Sequence, residues 1–370
     1  MLKRIYIDNF RCLVNFELNI DAINLILGGN GSGKSTVFDA LRRLQSFIIG
    51  SHPIEMVFPI FECTRWQNLS IQRFEIELSG NQGNYKYELA VEHYQSKSRI
   101  HYERLWFEQQ PLIKYEKGEV EIFDDYHSPS PKYPFDFSQS VLSLLQPRND
   151  NTKLTWFKYR MERFIIVQII PILMNNSSEN EEKILYSKME NFVSWYRYIS
   201  QDQGKTAELI SILKNVLDGF SSFIIERFSE KLYTLKLRFI SSENHKNEYY
   251  FSELSDGQKA LLSLYTLLYC TEDEDYTLCI DEPENFLALP EIQPWLTQLY
   301  DFCSEQKMQA LLISHHPELI NYLLASPIGY WFERQSNAPV RVKKISSEVA
   351  ENTGLPISEL IARGWLHESA

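Results

Sequence analysis

The chain has 370 residues, of which 44% are hydrophobic, 23% charged and 14% aromatic. At about 150 residues per domain this fits two lobes or one large α/β domain with insertions, and the balance excludes wholesale disorder and collagen-like structure. A formal net charge of −12 excludes an overall basic coat, so any nucleic-acid contact must use a local patch.

Taken in chain order, Lys3–Ile7 and Asn15–Ile20 alternate as strands do, and Ile23–Leu27 reads as a buried third strand. A glycine-rich turn follows, then the helical spacing Val37, Leu41, Leu44. Ile71–Leu78, Tyr85–Val91 and Ile100–Phe107 alternate again and predict an antiparallel sheet. Asp124–Phe137, with Pro129, Pro131 and Pro134, reads as a loop. From Ser138 to Ile225 the periodicity is mostly helical, interrupted by the polar run Asn175–Lys183, expected to be an exposed loop or a disordered tip. Thr234–Phe239 and Tyr249–Phe251 return to strand character. The last third alternates: helix Gly257–Tyr269, strand Thr277–Ile280, helix Pro290–Ser304, strand Gln309–Ile313, helix Glu318–Leu324. That rhythm belongs to a parallel sheet covered by helices.

The longest apolar run, Phe164–Met174, is broken by Gln168 and Pro171 and is far below the roughly 20 residues of a membrane span. The N-terminus lacks the apolar stretch of a signal peptide. Cys12, Cys63, Cys270, Cys279 and Cys303 are scattered without a CxxC pair and read as buried thiols. A cytoplasmic protein with no membrane partner is therefore expected.

Gly28-Gly29-Asn30-Gly31-Ser32-Gly33-Lys34-Ser35-Thr36 matches G-x-x-x-x-G-K-[ST] between a strand and a helix. Its glycines let backbone N–H groups converge on phosphate, and the helix directs its positive end at the same anion. Lys34 would neutralise β/γ-phosphate charge and Ser35 would ligand Mg²⁺. The apolar strand Leu278-Cys279-Ile280 ends in Asp281 and Glu282. Asp281 is the metal-binding candidate and Glu282 the candidate general base; a solvated pair of acids at a strand end is the alternative.

Leu254-Ser255-Asp256-Gly257-Gln258 precedes a long helix, with Ser255 suited to an N-cap and Gly257 to a close approach. This segment resembles the LSGGQ signature of ABC-type ATPases, with Asp256 in place of the first glycine. Leu312-Ile313-Ser314-His315-His316-Pro317 resembles that family's switch histidine, which implies contact between His315 and the γ-phosphate. Together the motifs resemble the ATPase class shared by RecF, SMC proteins and OLD nucleases, and within it the small stand-alone "predicted ATPase" family of bacteria. Ile7-Asp8-Asn9-Phe10-Arg11 at the start, Asp281–Leu287 and Glu291–Trp295 later, and Ala362-Arg363-Gly364-Trp365 near the end extend the likeness along the chain. Relatives place a glycine and Leu-His-Pro where this chain has Phe286-Leu287-Ala288-Leu289, a departure on the loop that would face a second subunit.

The resemblance implies an ABC/RecF-type P-loop ATPase head: a mixed or parallel core sheet, an antiparallel β lobe and a helical insertion. Residues 1–137 would form the N-terminal part of the head with its β lobe, 138–230 the insertion, and 231–370 the C-terminal part of the head. It implies ATP and Mg²⁺ as ligands and a homodimer in which Ser255 of one subunit closes over the site of the other. Gln146 is the candidate Mg²⁺-sensing glutamine, or else a surface residue before Pro147. Arg11 either approaches the nucleotide or forms a surface ion pair. Arg42 with Arg43, and Lys158, Arg160 and Arg163, read more readily as solvated helix faces than as nucleic-acid sites. Lys34 and Ser255 lie about 220 positions apart, longer than in a transporter subunit, and no heptad run fills the gap. The roughly 55 residues after His315 are few for a nuclease domain and carry few acids, among them Glu318, Glu333, Glu348, Glu351, Glu359 and Glu368. The expected output is a conformational switch in DNA transactions or phage defence, working with a separately encoded nuclease or toxin. The alternatives are a slow ATP sensor for a protein partner and a transporter-linked ATPase.

Overall fold

A computed structural model describes residues 1–50, 52–95, 97–136, 138–271, 275–316, 319–321, 329–335, 338–345, 356 and 358–359. They divide into two compact units. The first is Met1–Phe164 with the described part of Leu324–Leu355, and the second is Ile165–Leu323 with the described part of Pro356–Ala370.

The first unit opens with β1 (Leu2–Asp8), β2 (Phe16–Asn19), β3 (Ile23–Gly28), α1 (Lys34–Ile49) and the short α2 (Ile54–Val57). It continues with β4 (Ile71–Gly80), β5 (Gly83–Tyr94), β6 (Lys97–Phe107), β7 (Gln110–Glu116), β8 (Glu119–Ile122), β9 (Tyr133–Pro134), α3 (Val141–Leu144) and α4 (Thr152–Glu162). Eight strands form one sheet in the order β2-β1-β4-β5-β6-β7-β8-β9, each pair antiparallel. Its register follows from period-2 patterning: Phe74, Ile76 and Leu78 are buried, and Ile5, Ile76, Tyr87 and Leu105 stand opposite one another on one face. On the other face Arg4 bonds Glu17, Glu75 and Glu77 at 2.9–3.1 Å. Such exposed pairs contribute at most about 1 kcal/mol each, so the buried row decides the register.

Two buried polar clusters fix the helices. Gln45 on α1 donates to the Met161 and Phe164 carbonyls at 2.9 and 2.6 Å, satisfying the C-terminal end of α4. Glu103 on β6 is fully buried. It accepts from Tyr87 Oη (2.9 Å), Ser140 Oγ (2.6 Å) and the Val141 amide (2.8 Å), so it holds the start of α3. Burial pushes its carboxyl above the usual carboxylate range, against the opposing pull of those three bonds.

The second unit carries β10 (Phe164–Gln168), β11 (Ser177–Ser178), α5 (Phe192–Ile199), α6 (Gln203–Val216), β12 (Phe220–Arg227), β13 (Tyr233–Ile240) and β14 (Lys246–Tyr250). Then follow α7 (Asp256–Tyr269), β15 (Tyr276–Asp281), α8 (Leu289–Ser304) and β16 (Met308–Ile313). β10 lies beside β15, which pairs in parallel with β16, Ile280 opposite Leu312 and Asp281 opposite Ile313. β11, β12 and β14 surround β13 in a second, antiparallel sheet. The α7 helix is buried along most of its length, and Trp295 of α8 donates its indole N–H to the Leu264 carbonyl at 2.9 Å. Two strands, β17 (Gly329–Glu333) and β18 (Arg341–Lys344), return to the first unit: β17 pairs in parallel with β3 and antiparallel with β18.

The mostly helical reading of Ser138–Ile225 is corrected in part. The apolar run Phe164–Val167 is the buried strand β10, and Phe220–Ile225 opens β12. A short continuous apolar run suits a buried strand as well as a helix, and its β-branched isoleucines and valine favour the strand. Asn175–Lys183 is largely a loop but contributes β11, with Ser178 buried. Pro317, Glu318, residues 322–328, Glu348, Glu351 and Ala362–Trp365 with Glu368 lie outside the described residues; Leu319 and Ile320 are helical and buried.

Cys12, Cys270, Cys279 and Cys303 are buried and Cys63 is half-buried, all as free thiols. Burial pushes Cys270 and Cys303 up to about 12 and Cys63 up to about 11, so they stay protonated near neutral pH. Among the described residues no helix is long and apolar enough to cross a membrane.

Glu103→Leu should leave Tyr87 Oη, Ser140 Oγ and the Val141 amide without their acceptor, at a cost of about 2–4 kcal/mol. Urea unfolding measures this, and a change under about 0.5 kcal/mol would remove Glu103 as the anchor of α3.

Candidate nucleotide site

The phosphate loop leaves β3, a fully buried strand, and runs directly into α1. Gly28 has φ 145°, and a Cβ there would stand 2.3 Å from the Phe332 carbonyl oxygen of β17. Gly31 and Gly33 also sit at positive φ, and a Cβ at Gly33 would meet Val340 Cγ2 at 2.6 Å and Cys12 Sγ at 2.8 Å. Only glycine allows this backbone to turn so close to its neighbours. Gly33 immediately precedes α1 with no side-chain cap on the helix, and the Thr36 amide bonds back to the Gly33 carbonyl at 3.1 Å.

Lys34 is buried, and its Nζ donates to the Gly28 and Gly29 carbonyls at 2.7 and 3.1 Å. Asn30 and Ser35 are exposed. Thr36 is half-buried, its Oγ1 3.7 Å from Cys12 Sγ. Ser32 Oγ is buried with no hydrogen-bond partner among the described residues. Glycine cradle, uncapped helix start, buried lysine and lone hydroxyl together fit an anionic phosphate group.

Arg11, at φ 48°, donates to Asp39 Oδ2 at 2.6 Å and Glu62 Oε1 at 2.7 Å. Arg42 pairs with Asp39 and Arg43 with Glu62, each at 2.6 Å, so these cations belong to one carboxylate-linked network. Lys158 donates to the Ser143 and Leu145 carbonyls at the end of α3, and the Arg160 guanidinium lies 4.8 Å from the Phe164 ring centre. Gln146 is exposed; its carbonyl accepts from Asn151 Nδ2 at 3.0 Å, and it lines a cavity of about 530 Å³ built from residues between Ile122 and Asn151.

In the second unit, Asp281 ends β15 half-buried. Glu282 follows in the left-handed region, φ 54°, with its amide donating to the Ile313 carbonyl at 2.8 Å. That reversal turns the second acid away from the strand's own alternation. Glu282 Oε2 accepts from Asn285 Nδ2 at 2.8 Å, and Oε1 lies 4.0 Å from His315 Nε2. Both side chains remain open to solvent, 32% for Glu282 and 40% for His315.

Glu284, which motif spacing did not single out, holds the switch strand. Its Oε1 accepts from Ser314 Oγ at 2.6 Å and from the His315 amide at 3.3 Å, and Oε2 is buried without a partner among the described residues. The only hint in the sequence is an acid placed two residues beyond Glu282 across Pro283.

The signature segment caps α7. Ser255 Oγ accepts the Gln258 amide at 3.2 Å, while Gln258 Oε1 accepts the Ser255 amide at 3.0 Å, a reciprocal capping box. Leu254 is buried and Asp256 lies exposed in the first turn, where a negative charge suits the helix start. A Cβ at Gly257 would lie 3.0 Å from the Phe286 carbonyl oxygen, and Phe286 itself, at φ 72°, is 52% exposed. The start of α7 and the loop after the acids are therefore neighbours within the second unit.

The fold is that of ABC/RecF/SMC-type P-loop ATPase heads. It is similar to an Smc head bound to the C-terminal winged-helix domain of ScpA (TM-score 0.56, 12% identity, 94% of this chain and 99% of the other). It is also similar to the Smc head with an extended coiled coil bound to the C-terminal domain of ScpA derived from Pyrococcus furiosus (TM-score 0.51, 10% identity, 95% and 98%). The chain belongs to the family described as "AAA domain, putative AbiEii toxin, Type IV TA system", whose model matches residues 23–321. No curated protein sequence matched the chain.

Gly28→Ala should cost about 2 kcal/mol or more, because the new methyl meets the Phe332 carbonyl in a backbone conformation that disfavours it. Gly29→Ala, whose Cβ would meet nothing within 4 Å, should cost under about 1 kcal/mol. Equal costs in thermal unfolding would refute the close-approach account.

Proposed function

We propose that the protein binds and hydrolyses ATP with Mg²⁺ and uses the cycle to close and reopen a homodimer. The observation that carries this is the phosphate loop: three glycines at positive φ, a buried Lys34 laid on the loop carbonyls and a buried, unsatisfied Ser32 hydroxyl. Amides of Gly31–Thr36, with Asn30 at the rim, would surround the β-phosphate, and Lys34 would move from the carbonyls onto phosphate oxygens. The Ser35 hydroxyl and Asp281 would hold Mg²⁺, with Gln146 as a further candidate ligand; the ion would draw charge off the phosphate oxygens.

Glu282 is the base in this reading. Its carboxylate takes a proton as the water oxygen bonds to the γ-phosphorus and the bond to the β-bridging oxygen breaks, leaving ADP with the electron pair. His315, 4.0 Å from Glu282 Oε1, would contact the γ-phosphate. Ser255 and the start of α7, with Leu254, Asp256, Gly257 and Gln258, would close over the site of the second subunit. The exposed Ser255 and the uncovered Phe286 loop beside Gly257 support that role. Arg11, tied to Asp39 and Glu62, would shape the rim instead of meeting phosphate directly.

The output is a conformational switch acting on DNA or on a separately encoded effector in defence. The family description names a "putative AbiEii toxin, Type IV TA system", which supports a toxic output coupled to this ATPase over a role confined to DNA. The alternative is slow turnover in a sensor of a protein partner, supported by the engagement of both Glu282 oxygens, one bonded by Asn285 and one facing His315. Duplex DNA that speeds hydrolysis in a salt-sensitive way favours the first reading.

Glu282→Gln should bind ATP, lose hydrolysis by at least about 100-fold and elute as a dimer with ATP; unchanged turnover would remove Glu282 as the base. Lys34→Ala and Ser255→Arg proteins should each be inactive alone, yet regain activity when mixed, because one composite site is then intact. No recovery at any ratio would refute the shared site.

A further inference from the structure

Beside the phosphate loop stands a cation–aromatic pair to which the hydrolysis chemistry assigns no task. Arg334, just past β17, donates from Nη1 to the Gly31 carbonyl at 3.2 Å, and its guanidinium carbon lies 5.1 Å from the centre of the Trp66 ring. Arg334 is exposed and Trp66 half-exposed. A planar cation against an indole thus sits one hydrogen bond from the loop.

Both partners are held in place. Arg334 Nε donates to the Ala338 carbonyl at 2.9 Å, and the Val340 amide donates to the Cys12 carbonyl at 3.0 Å, tying the β17–β18 hairpin beside the loop. Phe332, two residues before Arg334, is the residue against which Gly28 packs. The Trp66 loop is bracketed by Asn9, a fully buried side chain. Asn9 Oδ1 accepts the Thr64 amide at 3.2 Å, and Nδ2 donates to the Leu69 and Ile71 carbonyls at 3.0 Å each. Thr64 Oγ1 in turn accepts the Trp66 amide at 3.5 Å. A tryptophan left half in water on a loop so firmly tied is preorganised for a flat partner.

We infer that Trp66 and Arg334 form the nucleobase platform of this site and select a purine nucleotide. The inference rests on the phosphate-loop reading and adds what that reading lacks, a surface for the base. An aromatic base stacks on an indole or on a guanidinium plane, and the larger purine surface gains more from both. Arg334 links the platform to the loop, since its Nη1 bonds the Gly31 carbonyl while its guanidinium faces the indole.

The test measures equilibrium binding of two probes by calorimetry: the non-hydrolysable adenosine 5′-(β,γ-imido)triphosphate and inorganic tripolyphosphate, which has no base. Trp66→Ala and Arg334→Ala should each weaken the nucleotide roughly tenfold or more and leave tripolyphosphate within about twofold. Trp66→Phe should recover most of the loss, and pyrimidine triphosphates should bind the wild type more weakly than ATP. Nucleotide binding unchanged in both alanine variants overturns the platform, as does an equal loss of both probes, which would mean a disturbed loop. Lys34→Ala serves as the separate check and should weaken both probes. If it weakens neither, the phosphate-loop reading falls and the platform falls with it.

Discussion

The end of β3 runs so close to β17 that a Cβ at Gly28 would stand 2.3 Å from the Phe332 carbonyl oxygen, and the first unit is arranged around that constraint. Gly28 satisfies it by having no Cβ to place against the Phe332 carbonyl. The close pairing of β3 with β17 then sets where the loop emerges, where α1 begins and where the hairpin carrying Arg334 and Val340 lies. The loop's conformation is thus fixed by two strands far apart in sequence. The buried Lys34 ammonium is satisfied by the Gly28 and Gly29 carbonyls of the same loop. A buried ammonium without such oxygens would carry a large desolvation cost, so the loop's own backbone is what lets a lysine sit there.

The second unit solves a different problem, which is how to aim two acids and a histidine from neighbouring strand ends. Parallel pairing brings Asp281 level with Ile313. A strand would then point consecutive acids to opposite faces, and the left-handed backbone at Glu282 alters that outcome. Its amide bond to the Ile313 carbonyl shows that the turn is held by β16, the strand that delivers His315. Glu284 completes the coupling by gripping Ser314 and the His315 amide. A movement of the switch strand would therefore be felt by the acid loop, and a movement of that loop, through Phe286, by Gly257 at the start of α7.

Much of this was legible in the sequence wherever the signal is local. The alternation in Ile71–Leu78 and Tyr85–Val91 reports a half-buried sheet because each side chain's burial depends on parity alone. The glycine-rich loop and the N-cap at Ser255 are readable because their chemistry closes within a few residues. β10 hides in a helical-looking region because a continuous apolar run carries no parity to distinguish strand from helix. Glu103 in an exposed-looking strand and Glu284 beyond the paired acids were invisible for another reason. Their partners, Ser140 and Ser314, lie 37 and 30 positions away, and a carboxylate's role is set by its partners.

The bond of Arg334 to the Gly31 carbonyl spans 303 positions, a longer-range case of the same effect. Residues at the start and near the end of the chain share one compact unit, so the β17–β18 hairpin meets the loop through Phe332, Val340 and Arg334, and Arg334 also faces Trp66. Asn9 sits in the I-x-N-F-R opening and spends its whole amide on the Trp66 segment. An asparagine is suited to that task because one side chain both accepts and donates, and aspartate could not serve both Leu69 and Ile71 carbonyls. The opening motif therefore acts here as a bracket for the Trp66 segment, while Arg11, two residues on, is tied to Asp39 and Glu62. Asn9 and Arg11 thus act through the segments they hold, the stretch 64–71 on one hand and Asp39 with Glu62 on the other.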